Sequence, residues 1–167
     1  MKLRKSTKND LKCIMEIINE AKRFLNENKV DQWQQGYPNE ESVLEDIVSE
    51  CSYVLEENNE IIGTAAISFD GEKTYDAIYE GKWISNGRYA VIHRIAISKK
   101  AKIKGIGTEI IKKAEEICLS KDIKSIKIDT HEDNLAMQKL LERNNFKYCG
   151  IVYVLDNSKR IAFEKEI

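Results

Sequence analysis

The stretch that decides the fold runs from Tyr89 to Thr108 and reads Tyr-Ala-Val-Ile-His-Arg-Ile-Ala-Ile-Ser-Lys-Lys-Ala-Lys-Ile-Lys-Gly-Ile-Gly-Thr. Its first half, Tyr89 to Ile97, has the composition of an apolar strand. The residues directly after the stretch, Glu109 to Leu119, have helical periodicity. Gly105 and Gly107 remove Cβ atoms where a backbone approaches a ligand closely. The first N–H groups of a helix have no internal partner and lie at its positive end. The turn therefore predicts a phosphate-binding cradle.

Lysines are concentrated just before this turn. Four of them lie in the six residues that precede Gly105, namely Lys99, Lys100, Lys102 and Lys104. Their field favours a multiply charged anion as ligand. The alternative is a strand-to-helix turn softened by glycine and surrounded by solvated lysines, and spacing alone does not separate the two interpretations.

Two common nucleotide-binding motifs do not fit the same residues. A dinucleotide fingerprint requires a third glycine after Gly107, and position 110 is Ile. A Walker loop requires an earlier glycine followed by four free positions and then Gly-Lys-Ser/Thr, but no glycine lies between Gly87 and Gly105. Both motifs are excluded.

The remaining sequence predicts one α/β domain over residues 1–167, without repeats, linkers or low-complexity tracts. Helices are expected over Thr7 to Asn28, after an N-cap at Asn39, over Thr108 to Ser120, and from an N-cap at Asn134 to near Asn145. Strands are expected over Ser52 to Glu57, Ile61 to Phe69, Tyr89 to Ile97, Ile123 to Thr130, Lys147 to Val154 and Arg160 to Lys165. The helical crossover makes 89–97 parallel to 123–130. Residues 70–86 form a polar excursion whose Tyr75, Tyr79 and Trp83 are candidates to line a pocket.

Composition narrows the class of protein. The net charge of −1 argues against a general nucleic-acid binder, and no apolar run is long enough for a membrane span. The N-terminus lacks the apolar core of an export signal. The four cysteines form no CxxC motif, and Cys13 and Cys118 fall on apolar helix positions, so buried free thiols and a cytoplasmic location are expected.

Charge is unevenly distributed along the chain. No Lys or Arg occurs from Val30 to Glu60, a window that contains nine carboxylates. This polarity suggests an anionic cofactor near the lysine cluster and a cationic partner near the acidic window. The alternative is that the acidic residues are only solvated helix surface.

Three segments together resemble the GNAT superfamily of N-acetyltransferases. Lys102-x-x-Gly105-x-Gly107 resembles the family's Arg/Gln-x-x-Gly-x-Gly/Ala loop, and His93 to Ile97 resembles its fourth strand. Asn134 to Phe146 resembles its Asn-x-x-Ala-x-x-x-Tyr-x-x-x-Gly-Phe segment. The resemblance implies a mixed, mostly antiparallel central sheet with two splayed parallel central strands, flanked by about four helices.

The resemblance also implies acetyl-CoA as co-substrate, without a metal. Main-chain groups of Ile95, Ala96 and Ile97 would pair with the pantetheine arm, and an N–H near Ile95 would polarise the thioester carbonyl. The pyrophosphate would be bound by the segment that contains Lys102, Ile103, Lys104, Gly105, Ile106, Gly107 and Thr108. Asn134, which begins the matching segment, is also expected to bind the cofactor. Arg143 is a candidate for the 3′-phosphate or, equally, a solvated helix residue.

Catalytic candidates lie on the two parallel strands. His93 suits removal of a proton from an ammonium group near neutral pH, directly or through water, because imidazoles titrate in that range. The alternative is a satisfied core histidine that alternates with Val91 and Ile95. Asp129, at the exit of the second parallel strand, is a candidate acceptor contact, because ligands collect at that end of open α/β sheets.

One position departs from the family pattern. The family's tyrosine, which protonates the departing thiolate, corresponds to Leu141. Water, Tyr148 or Tyr153 would have to substitute, or the thiolate would leave unassisted. The rival hypothesis is therefore a domain that holds acyl-CoA as a sensor or scaffold without turnover.

The acceptor site is expected after the first helix. Asp31, Trp33 and Tyr37 combine carboxylate and aromatic groups, which suit an organic cation, although Trp33 also fits as a plug of the core. The expected acceptor is a small amine or a peptide amine, acetylated without a covalent enzyme intermediate. Homodimers are common in the family, and nothing in the sequence marks an interface.

Overall fold

The computed structural model describes all residues from 1 to 167 as a mixed α/β fold. The strands in chain order are β1 (Lys2–Lys5), β2 (Ser52–Glu57), β3 (Glu60–Ser68), β4 (Ala90–Ile97), β5 (Ser125–Thr130), β6 (Lys147–Tyr153) and β7 (Lys159–Glu166). The helices are α1 (Leu11–Glu27), α2 (Glu40–Val48), α3 (Ile106–Ser120) and α4 (Leu135–Arg143). Short 3₁₀ turns cover Lys8–Asp10 and Lys73–Tyr75.

The seven strands form one sheet in the order β1-β2-β3-β4-β5-β7-β6. The pairs β1–β2, β2–β3, β5–β7 and β6–β7 are antiparallel, whereas β4 and β5 are parallel. The parallel register consists of Ala90 with Ile126 and Val91 with Lys127, at the beginning of β4. These features confirm the predicted mixed, mostly antiparallel sheet with a parallel pair and four helices.

The chain folds into two compact units, each defined by its internal contacts. The first unit comprises Met1–Ile67 and His93–Lys113, and the second comprises Ser68–Ile92 and Ala114–Ile167. The predicted single domain over residues 1–167 stays a prediction.

In the first unit, α1 and α2 bury their apolar faces in a common core. Ile14 and Ile18 of α1 pack with Val43 of α2 and Val54 of β2. The N-cap of α2 is as predicted, because the Oδ1 of Asn39 accepts a hydrogen bond from the Ser42 N–H at 2.9 Å.

The start of α1 differs from the predicted position at Thr7. The Thr7 N–H and hydroxyl both bond the Oδ2 of Asp10, at 2.7 and 3.0 Å, and residues 8–10 form a 3₁₀ turn. The α-helix therefore begins at Leu11. Asp10 is also held by a bidentate pair to Arg4, at 2.8 and 2.9 Å, so its carboxylate ties β1 to the start of α1.

In the first unit, the packing of α3 against β3 depends on Gly63. A Cβ at this position would lie 3.0 Å from the Cδ1 of Ile110 and 3.3 Å from the Cγ2 of Ile106. Ile110 and Ile106 are both buried. The missing Cβ therefore lets α3 pack its first turns directly on the strand.

In the second unit, residues 70–88 form a segment that we call the strap. Tyr75 of the strap is 2% exposed and packs with Val91, Val152 and Ala162 of the sheet. Tyr79 is instead 53% exposed, so the predicted aromatic pocket is not formed by these tyrosines. Tyr75 is a core residue because strands β4, β6 and β7 leave an apolar surface for it.

The strap is anchored to the sheet through Glu164, a fully buried carboxylate on β7. Glu164 accepts hydrogen bonds from the Ile84 N–H at 2.6 Å, from the Ser85 N–H and hydroxyl, and from the Ser125 hydroxyl at 2.6 Å. These donors satisfy the oxygens of a carboxylate that burial removes from water.

A second anchor of the strap is cationic. The ammonium of Lys127 lies 4.4 Å from the ring centroid of Trp83 and 3.9 Å from that of Tyr89. Such contacts are attractive because the ring face carries partial negative charge. Burial lowers the pKa of the Lys127 ammonium.

The strap also covers part of the outer strand β6. Tyr79 and Ile151 exchange two backbone hydrogen bonds of 2.8 Å each. Gly81 and Gly150 permit this approach, because a Cβ at either residue would lie 2.0 to 2.5 Å from a backbone oxygen of the facing segment.

Smaller differences concern burial and boundaries. Cys118 is buried as predicted, but Cys13 is only half-buried, because its position lies at the rim of the α1 face. Strand β3 ends at Ser68, before Phe69, and β5 begins at Ser125 rather than Ile123. No helix is both long and apolar enough to cross a membrane.

The Asp10 contacts predict a pH dependence of stability. Arg4 above all lowers the pKa of Asp10 from 3.8 to about 2. Because the folded pKa is depressed, the contribution is complete above the unfolded pKa and is lost as pH falls from about 4 to about 2. Urea unfolding should show a decline of stability in this window that is shallower in Asp10→Asn. The control Asp31→Asn, at an exposed carboxylate, should keep the wild-type decline, and an Asp10→Asn curve parallel to wild type would contradict this account.

The close packing at Gly63 predicts the effect of a larger residue. Gly63→Val should lower the free energy of unfolding by about 1–3 kcal/mol, because the added methyl groups overpack the contact with α3. Gly87→Val is the control, since nothing lies within 4 Å of a Cβ there. Equal stability of the two variants in chemical denaturation would show that α3 does not depend on this contact.

Candidate active site

The predicted cradle is formed by residues 98–108, all in the first unit. The Ser98 N–H bonds the carbonyl of Ile62 at 3.0 Å, which fixes the end of β4 to β3. Gly105 has a φ of +82°, a conformation that glycine adopts at little cost. The Glu109 N–H then bonds the Gly105 carbonyl at 3.0 Å, as the first ladder bond of α3.

The start of α3 corrects the predicted start at Thr108. The helix begins at Ile106, and both Ile106 and Gly107 are buried. The motif residues Ile106, Gly107 and Thr108 therefore form the first helical turn rather than a loop. Because ladder bonds start with Glu109, the amides of this turn lie at the open, positive end of the helix.

The four lysines of the cluster have different environments. The Lys99 N–H is bound by the carboxylate of Glu20 at 2.8 Å, and the Lys100 ammonium lies 3.8 Å from Glu16. Both carboxylates belong to α1. All four lysines are exposed, and Lys102 and Lys104 supply the accessible positive charge nearest to Gly105.

Strand β4 contains a feature that sequence reasoning missed. Arg94 has a φ of +54°, whereas a regular strand has negative φ throughout. A left-handed conformation costs a residue with a Cβ roughly 1–2 kcal/mol. Arg94 lies between His93 and Ile95, which are both half-buried. Ala96 is buried and Ile97 is exposed.

Arg94 is held by residues from the segment before and within α2. Its Nη2 lies 2.6 Å from the Oδ1 of Asp46, and its Nη1 donates to the Tyr37 hydroxyl. The side chains of Arg94 and Asp46 are 16% and 17% exposed. The only signal in the sequence was an arginine inside an apolar strand, and nothing local identified its partner.

The predicted acceptor residues lie in the segment that precedes α2. Tyr37 is 45% exposed, and its ring centroid lies 5.8 Å from the guanidinium carbon of Arg94. One cation of the chain therefore already contacts this ring. Trp33 is half-buried with a φ of +64°, and Asp31 is exposed.

The acidic window is partly neutralised within the protein. Four of its carboxylates form ion pairs: Asp46 with Arg94, Glu50 with Lys5, Glu56 with Arg4, and Glu57 with the N-terminal amine. Asp31, Glu40, Glu41 and Glu45 form the remaining negative surface before and within α2. The negative surface therefore involves fewer carboxylates than the nine that the sequence contains between Val30 and Glu60.

Asp129, in the second unit, is engaged by neighbouring side chains. It accepts a hydrogen bond from the Tyr75 hydroxyl at 2.6 Å, and the Nε of Arg160 lies 3.9 Å away. Its side chain is 10% exposed. Burial and the nearby Asp129 charge raise the pKa of Tyr75, so the phenol remains the donor.

The other candidates of the second unit lie on or before α4. The Oδ1 of Asn134 accepts the Met137 N–H at 3.1 Å, which confirms the predicted N-cap. Arg143 is exposed, and its Nε bonds the Lys139 carbonyl at 3.1 Å. Asn145, just after α4, has a left-handed conformation with a φ of +64°, which asparagine adopts more readily than most residues.

Leu141, which stands where the family has its proton-donating tyrosine, lies in the core. Leu141 is fully buried. Tyr148 and Tyr153 lie on the outermost strand β6, and they pack edge-on against Phe163 and Tyr79 respectively. The structure also contains no group of three or more His, Cys, Asp or Glu side chains that could hold a metal ion.

Comparisons with known proteins agree with this fold. An acetyltransferase structure of the GNAT family from Streptococcus agalactiae has a TM-score of 0.89 and 34% identity, covering 99% of this chain and 95% of that one. A structure described as a putative acetyltransferase from Staphylococcus aureus has a TM-score of 0.73 and 27% identity, covering 99% of each chain. A PaiA N-acetyltransferase from Thermoplasma acidophilum, in complex with coenzyme A, shares the fold at 19% identity and a TM-score of 0.72, over 99% of this chain and 98% of that one.

The comparison with family models shows to which protein family the chain belongs. No curated protein sequence matches the chain significantly. The model described as "Acetyltransferase (GNAT) family" matches residues 14–146, which include β4, the cradle and α4. The chain therefore belongs to the GNAT family of acetyltransferases.

Proposed function

We propose that the protein transfers an acetyl group from acetyl-CoA to the primary amine of a small cationic molecule or peptide. The observation that carries this proposal is the cradle at the start of α3. There, a left-handed Gly105 leads into the open end of the helix, and the exposed Lys102 and Lys104 precede it.

The residues of the cradle fit the phosphates of acetyl-CoA. The open N-terminal turn of α3 supplies backbone N–H groups and the positive end of the dipole. A lysine at 102 keeps the positive charge of the family's arginine but lacks its forked geometry. Main-chain groups of Ile95, Ala96 and Ile97 would bind the pantetheine arm, as the family resemblance implies.

The reaction is a direct acyl transfer. The acceptor nitrogen forms a bond to the thioester carbon, the carbon–sulfur bond breaks, and the amine loses a proton. A backbone N–H near Ile95 would stabilise the negative charge on the carbonyl oxygen. His93, on the same strand, would accept the amine proton directly or through water.

The departing thiolate has no tyrosine at position 141 to protonate it. Because Leu141 is buried, and Tyr148 and Tyr153 face outward on β6, we propose that solvent supplies the proton. A thiol with an ordinary pKa near 8.5 can also leave as thiolate to a useful extent near neutral pH.

The surface before and within α2 favours a cationic acceptor. Glu40, Glu41, Glu45 and Asp31 provide its negative charge. Such a surface raises the local concentration of ammonium groups, which suits a polyamine, an aminoglycoside or a lysine-containing peptide. Asp129 would act indirectly, by holding Tyr75 and the strap in place.

A second candidate function is an acyl-CoA sensor or scaffold without turnover. The observation that favours it is the buried Leu141, because this helix position cannot supply a catalytic proton. Binding of acetyl-CoA is common to both functions. Only turnover separates them.

The cofactor assignment predicts a charge-dependent affinity. The double variant Lys102→Glu/Lys104→Glu should weaken CoA binding by more than about tenfold, since each substitution replaces attraction to phosphate with repulsion. Calorimetry measures the affinity. The control Lys121→Glu/Lys124→Glu makes the same charge change at and beyond the end of α3 and should have a small effect. Equal losses in the two double variants would show that only net charge matters.

The transfer reaction predicts amine-dependent release of CoA. Polyamines, aminoglycosides, amino acids and lysine peptides should be assayed with wild type and with His93→Ala. Turnover by wild type on one class is expected, with a loss in His93→Ala that eases at high pH, where the amine is already deprotonated. Tight CoA binding without turnover on any amine would instead favour the sensor.

A further inference from the structure

We propose that Arg94 is a positioning residue for the transfer reaction. Its ion pair with Asp46 and its contact with Tyr37 hold the left-handed turn of β4 that sets the directions of His93 and Ile95. This inference rests on the proposed function.

The left-handed turn at Arg94 lies between His93, the proposed base, and Ile95, whose N–H is the proposed oxyanion donor. Along a regular strand, residues two apart project from the same face. A left-handed residue at 94 interrupts this alternation, so the orientation of His93 and of the Ile95 N–H depends on its backbone. Irregular strand residues of this kind re-aim neighbouring groups beside active sites.

An unfavourable backbone conformation persists only where its surroundings stabilise it. The guanidinium of Arg94 supplies that stabilisation through two groups on different parts of the chain. The 2.6 Å contact to Asp46 is charge-assisted, and little solvent reaches either side chain. The Tyr37 hydroxyl and ring form the second contact.

The remaining donor of the guanidinium is also enclosed. The Nε of Arg94 is buried without a protein partner. Arg94 also lines a small cavity with Asp46, Ser52 and Thr64 that has room for about one water molecule. The guanidinium is therefore held by Asp46 and Tyr37 and is largely enclosed by the protein.

The pairing also defines what α2 contributes. Asp46 is committed to Arg94, so it is a structural partner of the strand rather than an open acceptor carboxylate. Movement of the segment from Tyr37 to Asp46 would be transmitted to β4 through Arg94. The cradle is held separately, by Gly63 beneath α3 and by Glu20 at Lys99. Loss of the pair should thus affect turnover more than CoA affinity.

Kinetics of Asp46→Asn, Arg94→Lys and Arg94→Gln test the proposal. Asp46→Asn and Arg94→Gln should lower kcat by about 10- to 100-fold, because small misplacements of reacting groups cost that much. CoA affinity by calorimetry should stay within about twofold of wild type. Arg94→Lys, which keeps the charge but not the fork, should recover part of kcat. The double variant Asp46→Asn/Arg94→Gln should be no worse than Arg94→Gln alone.

The pair of Arg4 with Asp10 provides a matched control. It lies in the same unit, is partly buried and uses the same chemistry, but it joins β1 to the start of α1 rather than α2 to β4. Asp10→Asn should lose stability without a comparable loss of kcat per folded molecule. If Asp10→Asn and Asp46→Asn lower kcat equally, or if Asp46→Asn leaves kcat unchanged, Arg94 is not a positioning residue.

A measurement without turnover separates this inference from the proposed function. The chain contains two histidines, His93 and His131, so the imidazole NMR signals can be assigned with His93→Ala. Asp46→Asn should shift the His93 signal and leave that of His131 in place. An unmoved His93 signal overturns the inference. A shifted His93 signal without turnover by wild type on any amine would instead show that Arg94 orients His93 while overturning the proposed function.

Discussion

The seating of α3 on β3 is the constraint on which the candidate site depends. At Gly63 the strand has no side chain, and the buried Ile106 and Ile110 fill that space. A helix is a stiff element, so the packing of its first turns fixes where its open amides lie. The proposed phosphate cradle is consequently positioned by the apolar core, and the exposed Lys102 and Lys104 add positive charge beside it.

Most elements of the fold were predictable because their signals are local. Helical periodicity identified α1 and α3, and polar caps at Asn39 and Asn134 marked where α2 and α4 begin. The start of α3 was predicted too late because glycine is a poor helix former, and the motif around Gly107 was assigned to the loop. The burial of Ile106 outweighs that preference. Tertiary packing decides such boundaries, and no local pattern reveals it.

The irregular part of the site was not predictable from the sequence. Alternation along β4 placed His93 and Ile95 on one face, and no residue type announces a left-handed arginine. Its partner Asp46 lies 48 residues away in the chain. The acidic window shows the same difficulty, because composition cannot tell which carboxylates are paired within the fold. Local patterns therefore anticipated the strand, turn and helix around Gly105, but not the ion pairs of the acidic window.

The strap covers part of an outer edge of the sheet. An outer strand exposes unpaired N–H and C=O groups, which can join the sheet of another molecule. In β6, the bridge from Tyr79 to Ile151 occupies part of that edge, and Gly81 and Gly150 allow the two backbones to meet. A side chain at either glycine would push the strap away. The consequence is that these two glycines keep part of the β6 edge closed to pairing with a strand of another molecule.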